Sequence, residues 1–120
     1  MIIAVPVEEK NLGSAICISF GRAPYYCLYD TETQQSRFIV NSAADSPGGA
    51  GIQAAQNLVD ENISTLITFR LGENAAKVLD ASEISMHKAL NASIADNITA
   101  LLEGKLNPLD AIHAGFHHGH

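Results

Sequence analysis

The strongest constraint in this sequence is a cluster of three glycines, Gly48, Gly49 and Gly51, placed directly before a helix-like segment. In that segment, residues 52–62, apolar side chains recur at helical spacing. Glycines at the start of a helix leave backbone N–H groups uncovered and let a ligand approach the main chain closely. The N-terminus of a helix adds unpaired donors and a partial positive charge. We therefore expect an anion to bind at this loop, although a tight connection without a ligand would have the same pattern.

Length and composition indicate one folded domain with a substantial core. The chain has 120 residues, of which 47% are hydrophobic and 17% charged, and such values are typical of globular proteins. The formal net charge is −6, so the chain has no general attraction for nucleic acids or anionic lipids. An anionic ligand would therefore be held by local backbone dipoles and one or two cations.

The N-terminal segment and the cysteine content favour a cytoplasmic protein. The first ten residues lack the basic region of a signal peptide, and acidic residues interrupt their apolar run. No apolar stretch approaches the roughly 20 residues that a membrane helix needs. Two cysteines, Cys17 and Cys27, do not form a disulfide framework, and we expect both to be reduced thiols.

The order of apolar patterns predicts a mixed α/β domain. Strands are predicted over residues 2–6, 15–20, 25–30, 37–41, 64–69 and 84–86, and helices over 52–62, 74–79 and 93–103. The early strands should pair antiparallel, and the later strands, which helices connect, should be parallel. The expected architecture is a three-layer α/β/α domain, with Ser93 and Asp96 capping the last helix and Gly104 ending it.

Two further loops are expected at the same end of the sheet as the glycine cluster. Ligands of such sheets bind outside the carboxyl ends of the strands, where helices begin. The segment 71–74 (Leu-Gly-Glu-Asn) follows a predicted strand and opens a helix, and the turn 20–22 (Phe-Gly-Arg) can lie on the same side. Arg22 would then be the one cation near two positive helix ends.

Five segments of the chain form a further pattern: residues 2–7, 20–26, 48–51, 71–75 and 104–106. Taken in this order, they resemble the family of dinitrogenase iron–molybdenum cofactor biosynthesis proteins. That family includes cofactor carriers of nitrogenase assembly and a small orange protein that carries a molybdenum–copper sulfide cluster. The resemblance implies a ribonuclease-H-like fold with a mixed sheet of about five strands. It divides the chain into a cofactor-binding domain, residues 1–106, and a His-rich tail, residues 107–120.

The resemblance also implies a non-catalytic carrier that holds a molybdenum–sulfur cluster, with copper or iron as a second metal. Cofactor-assembly proteins are the interaction partners that it implies. The residues that it places at the cofactor are Cys17, Ser19, Phe20, Gly21, Arg22, Gly48, Gly49, Ala50, Gly51, Leu71, Gly72, Glu73 and Asn74. One position departs from the family, which commonly has Ser-x-His before the Phe-Gly-Arg turn. Cys17 and Ser19 stand there instead, and a thiol suits copper or a sulfide cluster better than a hydroxyl does.

The cysteines and histidines each allow two interpretations. If residues 15–30 form a regular hairpin, Cys17 and Cys27 face each other, either as buried apolar residues or as a soft metal contact or redox pair. The C-terminal histidines would bind copper, nickel or zinc, or form a weak site without fixed geometry. These histidines are His113, His117, His118 and His120. His87, after the last predicted strand, is either structural or a further ligand.

Other function classes find little support in the sequence. A nuclease of the ribonuclease-H type carries acidic residues on its central strands to hold two metal ions, and residues 2–7 and 64–69 contain none. A Gly-x-Ser-x-Gly motif is absent, which argues against a hydrolase triad. Two cysteines are too few for a four-thiolate iron–sulfur cluster. The remaining alternative is a regulatory or interaction domain of the same fold without a cluster.

Overall fold

The computed structural model describes residues 1–110 and the backbone of residues 112–113. Its strands are β1 (Ile2–Val7), β2 (Tyr25–Asp30), β3 (Gln35–Val40), β4 (Thr65–Thr68), β5 (Leu71–Gly72), β6 (Ser85–Lys88) and β7 (Ile112–His113), and its helices are α1 (Ala50–Asp60), α2 (Glu73–Ala81) and α3 (Ile94–Leu102). Five strands form one sheet in the order β3-β2-β1-β4-β6, and β5 pairs with β7 separately. Within these residues, no helix combines the length and the apolar character needed to cross a membrane.

The five-stranded sheet is mixed, which confirms the predicted fold class. β1 pairs antiparallel with β2, and β2 with β3, whereas β1 with β4 and β4 with β6 are parallel. β1 is apolar throughout because helices cover both of its faces: Ala4 packs toward α1 and α2, and Ile3 and Val5 pack toward α3. The result is the three-layer α/β/α arrangement with antiparallel early strands and parallel later ones.

The predicted strand over residues 15–20 does not form. β2 pairs with one edge of β1 along its whole length, and β4 pairs with the other edge at Ile3 and Ala4, so only the end of β1 is open to residues 15–20. Only Ile16 bridges β1, at Val7, and the Cys17 N–H donates to the Pro6 carbonyl at 2.9 Å. The segment is therefore irregular, and the three antiparallel strands are β1, β2 and β3.

Residues 107–109 continue the edge of the sheet beyond β6. The Lys88 N–H donates to the Asn107 carbonyl at 2.9 Å, and the Leu109 N–H donates to the Met86 carbonyl at 3.0 Å. The Leu109 side chain is buried. The division of the chain between residues 106 and 107 stays a prediction, and the structure adds that the first residues beyond it pack on the domain.

Candidate functional site

A cavity of about 480 Å³ opens between the N-termini of α1 and α2. The three loops that the sequence singles out, at residues 20–22, 48–51 and 71–74, all contribute to its wall. The lining residues are Ile18, Ser19, Phe20, Gly21, Arg22, Gly49, Ala50, Gly51, Ile52, Arg70, Leu71, Gly72, Asn74 and Ala75. Ten of the thirteen predicted cofactor residues thus surround one cavity, while Cys17, Gly48 and Glu73 do not line it.

The N-terminus of α1 is open toward the cavity. Its N-cap, Gly49, has a φ of 69°, which glycine adopts without strain, and it offers no side chain to cap the helix. The Gln53 N–H donates to the Gly49 carbonyl, so the N–H groups of Ala50, Gly51 and Ile52 have no partner among the described residues. No acidic residue lies in the first turn. Three donors and the positive end of the helix dipole are therefore available to an anion.

The N-terminus of α2 is partly compensated. Its N-cap, Gly72, has an extended backbone and no side chain to accept a hydrogen bond. Glu73 lies in the first turn, where a carboxylate is favourable beside the helix dipole. Glu73 does not line the cavity, but Asn74 does. The wall at α2 is therefore formed by backbone and by a neutral amide rather than by a carboxylate.

Two glycines bring the walls of the cavity into close contact. A Cβ atom at Gly21 would lie 2.9 Å from the Gly51 nitrogen and 3.0 Å from its Cα atom. Because the backbone of α1 cannot move away as a flexible side chain can, only glycine at position 21 allows the 20–22 turn to contact α1. A Cβ atom at Gly51 would lie 3.6 Å from the Ala75 Cβ, an ordinary contact distance between α1 and α2. The small residues therefore set the distance between the three loops.

Arg22 holds the glycine loop in addition to lining the cavity. Its Nη1 donates to the Ala44 carbonyl at 2.8 Å and to the Ser46 carbonyl at 2.7 Å, just before the glycine cluster. The Nδ2 of Asn41 donates to the Gly21 carbonyl at 2.9 Å and so fixes the turn itself. A guanidinium has five N–H donors, so Arg22 positions the loop and retains further donors and its charge for a ligand.

Arg70 and an apolar rim also belong to the cavity, and the sequence did not predict them. Arg70 follows β4 and lines the cavity, so the expectation that Arg22 is the one cation at this site is wrong. Ile18 and Ile52 also line the cavity, with 62% and 44% of their surface exposed. The signal for Arg70 was its position directly before the second glycine loop. Within the part of the chain that the structure describes, the lining contains two arginines and no carboxylate, on a chain with a net charge of −6.

The two cysteines lie on opposite faces of the sheet, so the expectation that they face each other is wrong. Cys17 belongs to the core beneath α1 and α2, and Cys27 belongs to the core beneath α3. Burial, together with a hydrogen bond to Glu8, raises the pKa of the Cys17 thiol, and burial raises the pKa of Cys27 to about 11. Both thiols are therefore protonated at neutral pH, and a protonated thiol is a poor metal ligand.

The predicted histidine ligands are distributed over several places. His87 lies on β6 beside Ile67, on the face that α3 covers, and it does not line the cavity. The backbone of His113 pairs with Gly72. His117, His118 and His120 lie outside the described residues. Within the part of the chain that the structure describes, no group of three or more His, Cys, Asp or Glu side chains is placed to hold a metal ion.

Comparisons with known proteins agree with this arrangement. An uncharacterised protein of Methanocaldococcus jannaschii is 26% identical over 113 residues, which cover 92% of each chain. The apo form of the orange protein from Desulfovibrio gigas matches the fold with a TM-score of 0.85 and 27% identity, over 92% of this chain and 93% of the other. A NifB-like Thermotoga protein of the DUF35 family matches with a TM-score of 0.78 and 31% identity, over 89% of this chain and 91% of the other.

The family assignment rests on most of the chain. Residues 1–104 match the family described as dinitrogenase iron–molybdenum cofactor. The matched range contains the whole five-stranded sheet, the three helices and every residue that lines the cavity. This chain belongs to the dinitrogenase iron–molybdenum cofactor family, a family of cofactor-binding rather than catalytic type.

Proposed function

We propose that this protein is a non-catalytic carrier that holds a preformed, anionic, molybdenum-containing metal–sulfur cluster in the cavity between α1 and α2. One observation carries the proposal. The lining combines an open helix N-terminus, a second helix N-terminus without a side-chain cap and two arginines, and the described residues contribute no carboxylate to it. Such a concentration of donors and positive charge on an acidic chain favours an anion over a cation or a neutral ligand.

The lining also fits the size and surface of a metal sulfide. Its volume of about 480 Å³ falls within the usual range of small-molecule sites. Backbone N–H groups and guanidinium donors hydrogen-bond to terminal sulfides, while Ile18, Phe20 and Ile52 supply apolar contact. Among the described residues, no Cys, His, Asp or Glu lines the cavity, so the cluster would be held without a coordinate bond from them.

The finer identity of the cargo is part of the same proposal. The family description links the fold to molybdenum and iron, which supports an iron–molybdenum cofactor precursor. A molybdenum–copper sulfide has the same anionic character and is the other form that we propose. As part of this function, we propose that the protein interacts with cofactor-assembly proteins and that it acts in the cytoplasm.

Anaerobic reconstitution with tetrathiomolybdate tests the proposal. The protein is incubated with tetrathiomolybdate, with and without Cu(I), then desalted and analysed for metals and for its visible spectrum. We expect molybdenum to remain with the wild-type protein and to fall in Arg70→Ala and Arg22→Ala. Arg37→Ala is the matched control, because it removes the same charge from an exposed residue that pairs with Glu61 and does not line the cavity.

Two outcomes would overturn the carrier function. If wild-type protein retains no more molybdenum than a variant lacking residues 49–51, the cavity does not hold the anion. If Arg37→Ala loses as much molybdenum as Arg70→Ala, the attraction is a property of the whole surface. Either result would favour the alternative, an interaction domain of this fold without a cluster.

A further inference from the structure

The chain after α3 forms a strap along the edge of the sheet. The Asn107 carbonyl and the Leu109 N–H bond to β6, which is the last strand of the five-stranded sheet. The Leu109 side chain is buried beneath α1 and α2, in the core that also contains Leu71. β7 follows and pairs with β5. We call residues 107–110 and β7 the C-terminal strap, and all of it lies beyond the range that matches the family, residues 1–104.

β7 of the C-terminal strap is the strand that pairs with β5. β5 contains two residues, Leu71 and Gly72, and stands outside the five-stranded sheet. In the parallel pair, Ile112 lies opposite Leu71 and His113 opposite Gly72, and β7 also lies against α2. Two short strands are not stable by themselves in water, so packing must hold them. The buried Leu71 and Leu109 side chains contribute that packing.

The two residues of β5 also belong to the cavity. Leu71 and Gly72 line it, and Gly72 is the N-cap of α2, where no side chain caps the helix. The Gly72 backbone is extended, with a φ of −73° and a ψ of 152°. Because glycine has more conformational freedom to lose than any other residue, it needs an external restraint to stay in one conformation. Pairing with β7 supplies this restraint where α2 begins.

We propose that the C-terminal strap positions the second glycine loop, residues 71–74, at the cavity. Leu109 anchors the strap in the core, and β7 holds β5, so the start of α2 and Asn74 stay in the cavity wall. Release of the strap would weaken anion binding, because donors that are held in place before a ligand arrives bind it at a lower entropic cost. The effect on anion binding rests on the proposed function, whereas the attachment of the loop does not.

Leu109→Ala in the full chain tests the proposal, with Leu106→Ala as the matched control. Both leucines are buried, with 9% and 7% of their surface exposed, but Leu106 packs in the core beneath α3. Both variants should lose stability in urea, since each removes a buried side chain. We expect only Leu109→Ala to shift the amide NMR signals of Asn74 and Ala75. It alone should raise the tetrathiomolybdate dissociation constant, by about fivefold, the lower end of the usual coupling between two parts of a protein.

A second variant leaves Leu109 and the core intact. Ile112→Pro combined with His113→Pro removes both backbone N–H groups that β7 can donate. It should shift the same two amide signals and raise the same dissociation constant. The positioning role is overturned if this variant leaves the signals of Asn74 and Ala75 in place. It is also overturned if Leu106→Ala shifts them as far as Leu109→Ala does, because the effect is then a general loss of stability.

Tetrathiomolybdate binding by the wild type separates this inference from the carrier function. If the wild type binds no tetrathiomolybdate but both strap variants shift the Asn74 and Ala75 signals, the positioning role stands and the carrier function fails. If the wild type binds tetrathiomolybdate and both strap variants bind it equally well, with the two signals unchanged, the positioning role fails and the carrier function stands.

Discussion

The N-termini of α1 and α3 are built in opposite ways. At α3, the Ser93 hydroxyl accepts a hydrogen bond from the Asp96 N–H at 2.9 Å, and Asp96 supplies a negative charge in the first turn. At α1, the N-cap is Gly49, the first turn has no acidic residue, and three N–H groups have no partner among the described residues. The N-terminus of α3, which lies away from the cavity, is therefore capped by a side chain. The N-terminus of α1, which lies at the cavity, has no such cap.

This difference indicates a division of roles between the two helical layers. A side-chain cap stabilises a helix by about 1 kcal/mol relative to alanine and by roughly a few tenths of a kcal/mol relative to glycine, so the Gly49 start forgoes a small stabilisation that the same chain obtains at α3. The open end of α1 points into a cavity with two arginines, where an anion can supply the missing partner. We infer that the α3 layer serves stability and that the α1–α2 layer also serves binding.

The largest expected effect concerns the core beneath α3 and is a loss of stability at alkaline pH. Burial raises the pKa of Cys27 from 9.0 to about 11, so the folded state retains a proton that the unfolded chain has lost. This contribution is fully present below pH 9 and disappears as the pH rises to 11. Two pKa units correspond to at most about 2.7 kcal/mol of unfolding free energy.

Urea unfolding between pH 8 and pH 11 measures this effect. Cys27→Ala removes the buried thiol, so its unfolding free energy should fall less steeply with pH than that of the wild type. Cys17 and Tyr26, whose pKa values are also raised by burial, contribute in both proteins. Equal slopes in the two proteins would contradict the assignment to Cys27.

The next effect concerns the backbone contact that forms the cavity. Gly21→Ala should lower the unfolding free energy by about 1–3 kcal/mol, because its Cβ meets the Gly51 backbone at 2.9–3.0 Å. It should also lower tetrathiomolybdate retention. Gly48→Ala is the matched control, since an added Cβ there has no heavy atom of the described residues within 4 Å, apart from its own chain neighbours. A Gly21→Ala protein as stable as Gly48→Ala would show that the contact is not rigid.

A smaller effect on stability is expected at the capped N-terminus of α3. Ser93→Ala removes the α3 cap and should cost about 1 kcal/mol of unfolding free energy in urea, with no change in tetrathiomolybdate retention. Ser82→Ala is the control, because that exposed serine makes no side-chain hydrogen bond among the described residues. If Ser93→Ala also reduces retention, the two helical layers do not have separate roles.

The smallest expected effect on stability comes from a charge added near the N-terminus of α2. The same change tests directly whether the helix N-termini at the cavity bind an anion. Asn74→Asp adds a negative charge near the N-terminus of α2, which should stabilise the fold by about 0.3–1 kcal/mol. The same charge lies in the cavity lining and should reduce tetrathiomolybdate retention. Gln56→Glu adds an equal charge at an exposed position of α1 outside the lining, and should leave retention unchanged. Equal retention in the two variants would contradict an anion site at this position.

Elements with a clear local pattern could be predicted from the sequence. β1 and β2, the three helices, the Ser93 cap and the left-handed Gly104 follow from apolar periodicity and from residues that act within one turn. The segment 15–20 has a strand-like composition but forms only a bridge, because β2 and β4 already occupy the edges of β1 except at its end. Composition carries no information about which sheet edges are occupied.

The sequence by itself determined the anion-binding character of the three loops. Glycines at helix starts and a Gly-Arg turn define an anion-binding composition locally, whatever their neighbours are. Only the tertiary structure decided that these loops meet, that Arg70 joins them, and that Arg22 bonds to the Ala44 and Ser46 carbonyls. The physical reason is that the contact of Gly21 with Gly51 joins residues far apart in sequence, and packing across the sheet sets its distance.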